Sequence, residues 1–294
     1  MIITIAPMVD PNICEPPYFL EILKHIENDL NDDYHFIISR TNSTEEIEQF
    51  KSCIIQGKKN ILILLSDEAG IKPYFLDELC MVFRTYSNSR LHDDNKIFSV
   101  PCGYSCGYGG FFGKSDWKYD NKEESKIPLI DREFDIFFSG QVSPNRIECV
   151  RSLQKIKGYF NSKVNITNGF AKGYELDEYY SLMQNSKIAI VPNGAVVPES
   201  FRYFEAFESN CIVISSFPIG NNIYNNWFYD NSSAIFLNNW SELTKDLVED
   251  LLKLENLKKY DKLNRDYFNE SISTKGVSKY MLDKINCVNN ENIS

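Results

Sequence analysis

Short β-branched apolar runs alternate along the chain with longer segments of helical periodicity. In the first half the runs are IITIA from Ile2, YHFIIS from Tyr34, NILILLS from Asn60 and KIFSV from Lys96. Between them lie PPYFLEILKHIENDL, STEEIEQFKSCII and PYFLDELCMVFRTY, each with a proline or serine near its start that suits a first helical turn. This βαβα order predicts a parallel sheet covered by helices on both faces.

From Tyr104 to Asp131 the pattern gives way to Gly, Ser, Lys and acidic residues without a period, which predicts a loop and linker. The alternation then restarts with FDIFFSG from Phe134, a helix from Pro144, VNIT from Val164 and a helix from Glu175. It continues with KIAIV from Lys187, a helix from Pro198, CIVIS from Cys211, SAIFL from Ser233 and a helix from Ser241. The expected architecture is α/β, with two Rossmann-like doubly wound domains over residues 1–128 and 129–270 and a helical tail over 271–294. Two such domains facing each other form a central cleft lined by the carboxyl ends of both sheets, so chemistry belongs on the loops that follow the strands.

The length of 294 residues suits two cores of ordinary size, and 43% hydrophobic with 24% charged residues is the balance of a globular protein. A net charge of -10 argues against a nucleic acid as the main partner, which would draw a basic excess. MIITIAPMVDPNICEPP lacks the basic start and apolar core of a signal peptide, and no apolar run approaches the roughly 20 residues that cross a bilayer. A soluble, cytoplasmic protein without a transmembrane segment is expected. In that setting the eight cysteines read as reduced thiols. The Cys102/Cys106 spacing has no second pair or histidine cluster to complete a zinc site, so no metal is expected there.

The stretch VPNGAVVPESFRYFEAFESNCIVIS, from Val191 to Ser215, inserts charges between two apolar strands. Pro198 fits a first turn, which puts Glu199 and Ser200 at a helix N-terminus whose free N–H groups suit a phosphate. Glu199, Arg202 and Glu205 then share one side of the helix, either as a solvated ladder of salt bridges or as a site where a carboxylate takes the hydroxyls of a ribose and an arginine holds a diphosphate. The Asn193-Gly194 turn delivers the chain into this helix, and Glu208, near its end, is expected in solvent. Upstream, FFSGQVSPNR places Gly140 where backbone approaches closely. Arg146 falls in a first turn, where a cation opposes the helix dipole unless an anion binds.

FSGxxxxxR, YYSLMQNSKIAIVPNG and PESFRYFEAFESNCIVIS together resemble the carboxyl half of the exostosin-like glycosyltransferases. The matching residues are Gly140, Arg146, Ser186, Pro192, Gly194, Arg202, Phe204, Glu205 and Ala206, while Asn210 stands where that family often has glycine. The amino half, with LLSDEAG, FRTYS and SVPCGY, is similar to the branch that includes ribitol xylosyltransferase, through Ser66, Asp67, Glu68, Arg84, Tyr86, Pro101, Gly103 and Tyr104. The resemblance implies a GT-B fold, a nucleotide-sugar donor held by the carboxyl domain, a glycan acceptor held by the amino domain and no obligatory metal. The chain has no DxD motif to hold a divalent cation. UDP is implied by the resemblance, with xylose, glucuronate or N-acetylglucosamine as the sugar.

Transfer of a sugar needs the diphosphate stabilised and an acceptor hydroxyl deprotonated. For the first, the candidates are Gly140, Arg146, Asn193, Gly194, Glu199, Ser200, Arg202 and Glu205. For the second, Asp67 and Glu68 follow the strand NILILLS and Asp10 follows IITIAPMV, though Asp67 also suits a cap or loop carboxylate. Arg84, Tyr104 and Tyr108 are the acceptor-binding candidates, the tyrosines lying among glycines and aromatic residues that suit stacking on a sugar. The activity expected is an inverting, metal-independent glycosyl transfer, with the nucleotide sugar as substrate and no cofactor. The alternatives are a nucleotide-sugar epimerase of the same architecture and a non-catalytic nucleotide- or glycan-binding module.

Overall fold

The structure is a computed structural model that describes residues 1–7, 9, 15–40, 44–66, 76–86, 95–104, 127–169, 172–194, 199–216 and 226–291. It divides into two compact units, the first made of Met1–Gly103, Asn221–Asp230 and Glu270–Ser294, the second of Tyr104–Gly220 and Asn231–Asn269. Among the described residues each unit holds one five-stranded parallel sheet, as the α/β pattern predicts.

In the first unit the strands are β1 (Ile2–Ile5), β2 (Tyr34–Ser39), β3 (Lys59–Leu64), β4 (Met81–Arg84) and β5 (Ile97–Ser99). They lie side by side in chain order, without the reversal that makes a sheet doubly wound. Helix α1 (Glu15–Ile26) opens with Pro16 and Pro17, whose missing N–H groups cost nothing in a first turn, and buries Tyr18, Phe19, Ile22, Leu23 and Ile26. Helix α2 (Thr44–Ser52) follows β2. Where periodicity predicts one helix over 73–86, the structure has a short 3₁₀ turn at Leu76–Glu78 and then β4. Met81, Val82 and Phe83 form an unbroken apolar run that is buried throughout, and such a run shows no period to separate a central strand from a helix.

Two later segments complete this unit. The final helix packs on α1, with Tyr18 Oη donating to the carbonyl of Ile272 at 2.7 Å and His25 Nε2 3.2 Å from Thr274 Oγ1. Trp227 donates its indole N–H to Ser99 O at 2.9 Å and stacks on Tyr280 with ring centroids 4.1 Å apart. Gly103 has φ +83°, and a Cβ there would fall 2.5 Å from the Tyr18 ring, so both conformation and contact require glycine.

In the second unit the strands are β6 (Phe134–Gln141), β7 (Ser162–Thr167), β8 (Ser186–Val191), β9 (Ile212–Ser215) and β10 (Ile235–Phe236), with α3 (Ile147–Ile156), α4 (Leu176–Gln184), α5 (Phe201–Glu208), α6 (Lys245–Leu251) and α7 (Leu254–Tyr267). The last helix of the chain, in the first unit, is α8 (Thr274–Glu291). The second sheet runs β10-β9-β8-β6-β7, so the winding reverses between β6 and β8. One core joins Ile136, Phe138, Ile188, Ile190, Ile212 and Ile214 of the strands to Leu153 of α3 and Trp240 and Leu257 downstream.

Helix α5 ends in a Schellman arrangement, with Cys211 N–H bonded to Ala206 O and Asn210 N–H to Phe207 O, each at 2.8 Å. Asn210 has φ +58°, the left-handed conformation that favours glycine and that asparagine tolerates, so its departure from the glycine of the resembled pattern keeps the same cap. Among the described residues no helix is long and apolar enough to cross a membrane, and Cys53, Cys80, Cys102, Cys149, Cys211 and Cys287 form no disulfide.

Candidate functional site

Open α/β sheets take ligands beyond the carboxyl ends of their strands, where the winding reverses. In the second unit that point is the edge of β6 and β8, and it gathers most of the donor-site candidates. A 3₁₀ turn at Pro144–Arg146 leads from β6 into α3. Asn145 donates from Nδ2 to Gly194 O at 2.6 Å, and Arg146 from Nε to Asn193 O at 2.9 Å, so one turn fixes the Asn193-Gly194 loop through two carbonyls. Arg202, in the first turn of α5, donates from Nε to Ser139 O at 2.7 Å and so lies across the end of β6. A Cβ at Gly140 would meet its guanidinium at 3.3 Å, and glycine leaves that room.

Arg146 is only 4% exposed and Arg202 is half-buried. Burial, then the nearby charge of Arg202, pushes the Arg146 pKa down to about 10. Among the described residues neither guanidinium is ion-paired, and each spends only its Nε on a carbonyl, leaving the terminal amino groups to another acceptor. The buried Oδ1 of Asn193 likewise has no hydrogen-bond partner among the described residues. Two arginine forks set beside a helix start form an anion cradle suited to phosphate oxygens.

The carboxylates are placed differently from what the sequence suggests. Helix α5 begins at Phe201 with Ser200 as its cap residue in extended conformation, so Glu199 and Ser200 precede the helix instead of occupying its first turn. Both are buried, and every residue from Tyr203 to Glu208 is buried too, which rules out a solvated ladder. Glu208, expected in solvent, accepts a hydrogen bond from Tyr180 Oη at 3.1 Å, and Glu205 accepts one from Tyr179 Oη at 2.9 Å. Successive tyrosines of α4 thus engage carboxylates one turn apart on α5. Burial first, then the facing carboxylate, raises both phenol pKa values well above their usual range.

The carboxyl edge of the first sheet holds a second cluster. Asp67, Glu68, Asp10 and Tyr108 lie outside the described residues, whereas Arg84 and Tyr104 are fully buried, the ring of Tyr104 lying 5.4 Å from that of Phe268. Beside the ends of β3 and β4, the carboxylate of Glu15 accepts from Ser66 N at 3.2 Å, from Thr85 Oγ1 at 3.3 Å and from Ser66 Oγ. Ser66 and Tyr86 leave their strands with φ +52° and +54°. The register Leu64↔Arg84 makes these two left-handed residues equivalent positions on neighbouring strands.

No family model matches the sequence, and no curated protein does. Solved structures do resemble it. A glycosyltransferase involved in avilamycin A biosynthesis, AviGT4, superposes with a TM-score of 0.53 at 10% identity, over 98% of this chain and 97% of its own. An α1,3-fucosyltransferase gives 0.52 at 11% identity, over 98% and 89%. An α-glucosyltransferase bound to UDP and a 13-mer DNA containing a HMU base gives 0.51 at 10%, over 93% and 84%. The fold is GT-B.

Within this GT-B chain the sequence singled out Gly140, Arg146, Asn193, Gly194 and Arg202, which the fold brings together at the β6/β8 edge. It passed over Glu15, because an acidic residue before Pro-Pro reads as an ordinary helix start, and its partners Ser66 and Thr85 lie 51 and 70 positions away. His35 is buried between Thr4 Oγ1 and Asn60 Oδ1, each at 2.8 Å.

Proposed function

We propose that this chain is a glycosyltransferase whose second unit binds the diphosphate of a nucleotide sugar at the β6/β8 edge. The observation that carries the reading is the pair Arg146 and Arg202, held by their Nε atoms at the reversal of the sheet with no carboxylate paired to either among the described residues. Charge develops on the diphosphate as the bond to the sugar breaks, and two positioned guanidiniums meet that charge without reorganising. The GT-B fold supports the reading, and so does the UDP bound by one of the similar structures. The finer assignment follows the sequence: an exostosin-like enzyme using UDP-linked sugar, inverting, with arginines and a helix start in place of a metal. Glu205 takes the ribose hydroxyls, Asn193, Gly194, Glu199 and Ser200 line the nucleotide, and a glycan acceptor belongs to the first unit.

Calorimetric titration with UDP-, GDP- and CMP-linked sugars tests this. One nucleotide class is expected to bind the wild type, with affinity lost in Arg146→Ala and Glu205→Ala while both variants keep their fold. Equal affinity in wild type and both variants would sink the assignment.

A further inference from the structure

We infer that Glu15 and Ser66 form a proton relay at the carboxyl edge of the first sheet, Ser66 Oγ taking the proton of the attacking hydroxyl while its own proton passes to the Glu15 carboxylate. The inference rests on the glycosyl-transfer reading above and supplies the proton acceptor that reading needs. In the step, the acceptor oxygen forms its bond to the anomeric carbon as the bond from that carbon to the diphosphate breaks, the electron pair leaving with the diphosphate. The acceptor proton moves to Ser66 Oγ, and the serine proton moves to Glu15, so the relay ends with a neutral carboxylic acid and an unchanged serine.

Three features of the cluster support it. Ser66 is half-buried at the end of β3, where parallel sheets meet their ligands, whereas Glu15 behind it is 1% exposed. Both carboxylate oxygens are held by donors from two adjacent strand ends, which fixes the acceptor atom of the relay. Ser66 also adopts a left-handed backbone, a strain that folds tolerate where geometry serves a site.

A bracket between strand ends does not need an ionisable group, since glutamine would accept from Ser66 N–H and Thr85 with its oxygen and donate to Ser66 Oγ with its amide. A carboxylate at this position costs the fold its desolvation and gains reactivity near neutrality. Burial raises Glu15 to about 7, against the hydrogen bonds from Ser66 and Thr85 and the charge of Arg40 after β2, the charged group that acts on it among the described residues. A base poised there is about half ionised at pH 7 and strong enough to take a proton.

The full chain is assayed for release of nucleoside diphosphate from UDP- and GDP-linked sugars with water as acceptor, across pH 5 to 9. The wild type is expected to lose rate as pH falls through about 7. Glu15→Gln is expected to lose that limb and about a hundredfold or more in rate, with nucleotide affinity intact. Its thermal stability at pH 8 should be no lower than wild type, which separates loss of the relay from loss of fold. Ser66→Ala should lower the rate and keep the pH limb, because the titrating group remains. A wild-type rate and pH limb in Glu15→Gln would overturn the relay and leave the glycosyl-transfer reading standing. A full rate in Ser66→Ala would also overturn it. Absence of turnover and nucleotide binding in the wild type would remove the reading and the relay together.

Discussion

Arg146 and Arg202 stand as like charges at the same end of β6, each fastened by one nitrogen to a backbone carbonyl, at Asn193 O and Ser139 O. Burial first, and then their repulsion, lowers the Arg146 pKa to about 10, without discharging it at neutral pH. A bound diphosphate would relieve that repulsion. Arg146→Lys keeps the charge but loses the planar fork and the grip on the Asn193 loop. Nucleotide affinity should fall between about tenfold and a hundredfold, the value of a charge-assisted hydrogen bond or two. Titration at two salt concentrations would show it, and an unchanged dissociation constant would remove Arg146 from the phosphate site.

Gly140→Ala tests the same geometry from the strand side. The added Cβ would sit 3.3 Å from the Arg202 guanidinium, and that guanidinium is the flexible end of a long side chain, so it gives way before the backbone does. Thermal stability is expected to change little, while nucleotide binding weakens because Arg202 shifts off Ser139 O. A large fall in melting temperature with affinity preserved would show that the contact serves packing alone.

The fold was largely legible because apolar runs and helical spacing survive in one sequence, and β2, β6 and β8 fall where those runs place them. β4 was not legible, since Met81, Val82 and Phe83 are buried on both faces and leave no polar beat to count. The charges of α5 were visible as residues but not in their placement. Their partners Tyr179 and Tyr180 come from a different helix, and tertiary packing decides whether a glutamate meets water or a phenol. Glu15 was hidden for the same reason, its three hydrogen bonds all being long-range.

Arginine shows the limit most clearly, because Arg132 is as buried as Arg146 and does different work. It donates from Nη1 to Ser186 O and from Nη2 to Ser209 O, both at 2.7 Å, and from Nε to Ile127 O at 3.0 Å, so its donors are committed to backbone. Arg132→Met leaves three carbonyls to find other donors. Denaturant unfolding should show a loss of about 3 kcal/mol or more. Nucleotide affinity of the folded protein should be unchanged, and a selective loss of affinity at full stability would assign Arg132 to the ligand instead.

Glu15 gives the stability of the chain a pH dependence of unusual sign. Its folded pKa, about 7, lies above the ordinary 4.5, so between those values the folded state keeps a proton that the unfolded chain has released. The stabilisation is therefore complete below about 4.5 and is lost as pH rises through about 7. The difference corresponds to about 3 kcal/mol, at 1.36 kcal/mol for each unit. Glu15→Gln removes the ionisation and should raise the melting temperature at pH 8 while leaving it nearly unchanged at pH 4. Thermal unfolding of both proteins across this range measures the effect. Parallel curves for the two, with no separation opening between pH 4 and 8, would show that Glu15 titrates alike in the folded and unfolded chain and that its burial carries no cost.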